Sequence, residues 1–170
     1  MKSLILTIES ISEWTGRAAS WLVLALVLLI CYDVSMRALF NQGSIGRQEL
    51  EWHLFALIFL LGAAYTLKHD QHVRVDIIYQ SRFLSDKSRA WINLLGSLIL
   101  LLPFCAVVLF SSWPFVESAF YYQERSANPD GLPYRFLLKG SLLVAFSLIF
   151  LQGIANMLRS ILILRQQEMK

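Results

Sequence analysis

The chain has 170 residues, of which 56% are hydrophobic and 16% charged, with a net charge of +3 and a mean hydropathy of +0.55. A soluble domain carries about 25% charged residues, so there is too little polar surface here to coat a globule. The apolar residues fall into four long blocks, which predicts an integral membrane protein.

The N-terminal run MKSLILTIESISEW is not a secretory signal, because Glu9 and Glu13 interrupt its short apolar stretch. Leu4, Ile8, Ile11 and Trp14 recur at helical spacing, which predicts an amphipathic helix over about residues 3–14, lying on the membrane surface. The first block is uncharged only over residues 18–32 and the second only over 54–67. A spanning helix needs about 20 mostly apolar residues. Asp33 and Arg37 are therefore drawn into or against span one, and Glu49, Glu51 and His53 into span two, all around the loop NQGSIG. The third block is uncharged over residues 90–116 and the fourth over 140–158. The expected spans are roughly 17–40, 48–68, 89–117 and 136–163, in a single all-α domain over 1–170, with a second interfacial segment at about 73–84. Pro103 falls inside span three, where membrane helices tolerate proline if neighbours satisfy the freed carbonyl. SANPDGLP reads as a turn. Cys31 and Cys105 lie in apolar blocks and read as small buried hydrophobes.

Four spans put both termini and the middle loop on one side. That side carries 10 of the 15 Lys and Arg residues, so the positive-inside rule makes both termini cytoplasmic.

The stretch KHDQHVRVD, residues 68–76, offers His69, His72 and Asp76 as metal ligands. Lys68 and Arg74 flank them with positive charge, and no further His or Cys lies in a loop on that side. A polar hinge at the membrane surface, with Arg74 reaching lipid headgroups, is the favoured reading, and no metal is expected. Asp33 and Arg37 stand at i, i+4 on one helix face, a self-neutralised pair at the end of span one, with Arg37 free to hold a lipid phosphate or a partner subunit. Glu49 and Glu51 suit the positive end of a helix. Spans three and four offer no mid-membrane acid, so the converging midplane site of a self-sufficient transporter is missing. A haem- or quinone-binding redox anchor is the alternative. His53 is the one histidine expected inside a span, which argues against bis-histidine haem.

Four stretches taken in order carry a resemblance. They are Arg37-Ala38-Leu39-Phe40-Asn41, Gln48-Glu49-Leu50-Glu51, Gly62-Ala63-Ala64 followed by His72-Val73-Arg74-Val75-Asp76, and Gly131-Leu132-Pro133-Tyr134-Arg135-Phe136-Leu137-Leu138-Lys139. Over about residues 14–164 the chain resembles the small, four-span, DctQ-like membrane subunit of tripartite ATP-independent periplasmic (TRAP) transporters. The resemblance implies no catalysis and no cofactor. It implies a scaffold role beside a large multi-span subunit that binds substrate and sodium and moves as an elevator. A periplasmic binding protein captures the substrate, usually an organic acid. The expected location is a bacterial inner membrane, among phospholipids and with no nucleic-acid partner. Arg37, Glu49 and Glu51, then Asp33, His72, Arg74 and Asp76, are the expected polar contacts to partner or lipid. The small residues Gly62, Ala63, Ala64, Ser141 and Ala145 are expected to allow close helix approach.

Overall fold

The computed structural model describes residues 2–71 and 85–168, and they are helical apart from short connections. Helix α1 covers Lys2–Phe40, α2 Ile45–Lys68 and α3 Asp86–Leu95. A π-helical stretch, Gly96–Leu101, joins α3 without a break to α4, Leu102–Tyr121, and α5 covers Arg135–Glu168. The result is four rods, each with a window long and apolar enough to cross a membrane. His72, Arg74, Asp76 and the segment expected at 73–84 lie outside the described residues.

The helix ends follow local chemistry. Asn41, Asp70 and Gln123 adopt left-handed backbone at φ of 52°, 59° and 46°, one just past each of α1, α2 and α4. After α2, Gln71 N–H donates to Thr66 O and Asp70 N–H to Leu67 O. After α4, Glu124 N–H donates to Ala119 O and Gln123 N–H to Phe120 O. These paired bonds close the last carbonyls of each helix. Asn and Asp tolerate the left-handed region better than most residues. Helix α3 starts where Ser85 Oγ accepts from Ser88 N–H at 3.2 Å.

Pro103 explains the π-helical stretch. Its ring has no N–H to give the carbonyl four residues back, and in a regular helix it would collide there. Leu102 N–H instead reaches Ser97 O, five residues back, and the widened turn absorbs the misfit.

The N-terminal segment differs from the expectation. Residues 3–14 are not a separate surface helix but the first turns of α1, continuous with span one. The apolar face is also rotated. Leu4, Ile11 and Trp14 are exposed, whereas Ile5, Ile8 and Ser12 are buried. Ile5 and Ile8 pack with Ala155, against Leu158 and Leu162 of α5. With α5 alongside to cover one face, the segment continues as helix instead of bending away.

Among the described residues α5 touches every other helix and is the centre of the bundle. A third of its most apolar window is buried, against 6% in the other three spans. Lipid is as apolar as leucine, so helices join through small residues and internal hydrogen bonds rather than burial alone. Ala64, Ala145 and Ala155 are fully buried. Ser12 Oγ donates to Gln152 Oε1 at 2.8 Å, and Gln152, itself fully buried, donates to Asn156 Oδ1 at 3.2 Å. A β-carbon at Gly16 would overlap the Tyr65 ring, so glycine there lets α2 lie directly on α1.

Candidate functional site

The antiparallel rods give the bundle two ends. The loop end carries residues 41–44 and 122–134; the terminal end carries the start of α1, the end of α2 and the last turns of α5. Most polar side chains gather at these two ends.

At the loop end, Asp33 is 1% exposed and takes two guanidinium partners. Arg37 contacts Oδ2 from one turn further along α1. Arg47 Nε donates to Oδ1 at 2.7 Å from the first turns of α2. Arg47 also donates to Gln42 O at 2.5 Å and stands over the Tyr32 ring. The Gln48 amide, turned to present its oxygen, accepts from Arg37 Nη1 and Nη2 at 2.8 Å. A carboxylate buried this deeply needs paired charge. Asp33 and Arg37 are on one face as expected, but they are not a closed pair. Arg47 joins them from outside both uncharged blocks, and with it the cluster carries one excess positive charge on a 42%-exposed Arg37.

Glu49 does something the sequence reading missed. Helix α2 begins at Ile45, so Glu49 and Glu51 sit beyond its first turn and away from the strongest part of the helix dipole. Glu49 instead holds the 122–134 loop. Its Oε1 accepts from Ser126 Oγ and, at 3.0 Å, from Asn128 Nδ2, and its Oε2 accepts from Leu132 N–H at 2.8 Å. A β-carbon at Gly131 would overlap Ser126 and lie 2.8 Å from Glu49 Oε2. Gly131-Leu132 is thus a backbone that fits around a carboxylate. Lys139 pairs with Glu124 and lies over the Phe115 ring, closing the base of the loop. The only sequence signal was the motif itself, a glycine and an acid 82 positions apart.

Glu51 is half-buried and has no hydrogen bond or ion pair among the described residues. It borders an aromatic stripe of Trp52, Phe55 and Phe59, which are 69%, 64% and 70% exposed. A β-carbon at Gly62, one turn further on, would meet nothing within 4 Å, so Gly62 makes no close approach to the other described residues. Ala63 and Ser141 are partly and largely buried, and Ala64 and Ala145 fully.

His53 Nδ1 lies 2.5 Å from Glu49 O, so it carries the proton, and Nε2 is enclosed without a partner among the described residues. His69 is just past the opposite end of α2, its ring tilted against Tyr65 and 3.0 Å from Glu13 Oε2.

The terminal end is tied by Glu9 and Glu13, which in the sequence stand out only as charges interrupting an apolar run. Glu13 accepts from Lys68 at 2.6 Å and from Arg17 at 3.2 Å, and Glu9 pairs with Arg159. Among the described residues no three of His, Cys, Asp and Glu come together as a metal site would require.

Two comparisons bear on what this frame is. The family described as "Tripartite ATP-independent periplasmic transporters, DctQ component" matches residues 26–162. A similar protein is the C4-dicarboxylate TRAP transporter small permease protein DctQ of Vibrio cholerae serotype O1, 29% identical over 115 residues. That match takes in 65% of this chain and spans 48%, about half, of the relative. The family match runs from within span one to the last turns of α5 and includes every loop-end residue described above, and on that extent the chain belongs to the DctQ component family of tripartite ATP-independent periplasmic transporters.

Proposed function

We propose that the chain is the small scaffold subunit of a sodium-coupled importer of organic acids, embedded in a bacterial inner membrane with both termini cytoplasmic. It packs against the large, elevator-type subunit, and its loop end, facing the periplasm, contributes to docking the substrate-binding protein. The relative's name makes C4-dicarboxylates the first substrate class to assay.

The observation that carries this reading is the outward face of α2. Glu51, Trp52, Phe55, Phe59 and the open side of Gly62 are left without a partner among the described residues. An acid near a span end, exposed aromatics and a small residue form a face that a second protein can cover. Most of the described polar groups are engaged in holding the two ends together, which supports a frame rather than a carrier. A redox anchor draws no support from the family match or from the placement of His53 and His69 at opposite ends of α2.

A tagged pull-down from native membranes in mild detergent tests the proposal. A much larger polytopic partner in near-equal amount is expected. Gly62→Leu and Glu51→Ala are each expected to lower that yield and dicarboxylate uptake by about threefold or more while the chain's own melting temperature holds. A lone oligomer, or a soluble redox enzyme as partner, overturns it.

A further inference from the structure

A groove of about 670 Å³ opens at the loop end between α2, α4 and α5. Leu57 and Leu61 form one wall, Trp113 and Phe120 the second, Phe136 and Val144 the third. One carboxylate lines it, that of Glu117. Glu117 is exposed and has no hydrogen bond or ion pair among the described residues, whereas Glu9, Glu13, Asp33, Glu49 and Glu124 all have partners. An acid at the edge of a span is stabilised by a cation.

The volume is in the range of small-molecule sites, roughly 300–1,000 Å³, which are likewise apolar with few polar groups. Helix partners dock through small residues that let backbones approach. Here the walls are mostly large side chains, and only Gly140 and Ser141 are small. A thin hydrocarbon chain fits where a helix backbone is held off. From Phe136 to Val144 the groove runs about 12 Å, less than half of a hydrocarbon core of about 30 Å, so it lies within one leaflet. Arg135 is exposed and directly precedes Phe136; it makes no ion pair among the described residues and acts on Glu49 only at longer range.

We propose that this groove seats one zwitterionic phospholipid of the loop-end leaflet. An acyl chain lies along the Leu61–Trp113–Phe136 walls, the headgroup ammonium meets Glu117, and the phosphate meets Arg135. The site is separate from the α2 face proposed to meet the large subunit, so either can stand without the other.

The test uses the full chain, relipidated with equimolar phosphatidylethanolamine and phosphatidylglycerol and read by native mass spectrometry. The two lipids share a phosphate, but only the first carries an ammonium. Phosphatidylethanolamine should be retained over phosphatidylglycerol by about threefold or more, and Glu117→Gln, a change at an exposed side chain, should bring the ratio close to one. Equal retention by the parent chain, or an unchanged preference in Glu117→Gln, overturns the proposal. A photo-crosslinking residue at position 137, which also lines the groove, should label lipid in native membranes. Labelling of a protein there would overturn the lipid in favour of a partner helix.

Discussion

The two ends of the bundle use the same polar vocabulary for different ends. At the terminal end, ion pairs and an amide chain join helix directly to helix: Glu9 to Arg159, Glu13 to Lys68, Ser12 to Gln152. At the loop end, Glu49 makes no direct ion pair among the described residues, Arg135 acting on it only from a distance. It holds a loop by one backbone N–H and two side chains, while Asp33 gathers two arginines and leaves a positive excess. The first arrangement fixes the bundle, and the second fixes a surface.

The sharpest way to break that contrast is Asp33→Ala. It strands two guanidinium groups at the end of a span, and the melting temperature in detergent, followed by tryptophan fluorescence, should fall by roughly 10 °C. Gly131→Ala comes next. Its β-carbon displaces Ser126 and crowds Glu49, with a cost of about 2 kcal/mol, and residues 123–134 should become sensitive to brief proteolysis while the helices stay intact. Gln152→Leu tests the terminal end and should cost about 1 kcal/mol in denaturant unfolding, with the loop left protected. Glu13→Gln should be the mildest, shifting the melting temperature by no more than about 2 °C, because Arg17 and His69 beside it are 71% and 36% exposed and an amide oxygen can still accept from Lys68. Loop proteolysis that follows Gln152→Leu as closely as Gly131→Ala would erase the distinction between the two ends.

The four rods were legible because a span is a local property of some 20 consecutive residues. So was the Asp33–Arg37 geometry, one helical turn written in the sequence. Arg47 was not, because it reaches Asp33 across the turn between helices. Glu49 and Leu132 are 83 positions apart and Glu9 and Arg159 150 apart, and no periodicity links such pairs. The rotated face of residues 3–14 has a related cause. The stripe Leu4–Ile8–Ile11–Trp14 is the most apolar one, but packing against α5 selects the face carrying Ser12, which has Gln152 to meet. In a membrane the polar side chain chooses the contact.

The stretch Gly96–Leu101 sets the phase of the rod it interrupts. One π-bulge accommodates about one extra residue, roughly 100° of rotation, without ending the helix. Below it Ala90 turns inward, and above it Cys105 and Ala119 do. Both segments, and the π-helical stretch between them, touch α5. The bulge works like an expansion joint, letting one continuous strut take up the misfit of a proline and still lie along the same neighbour.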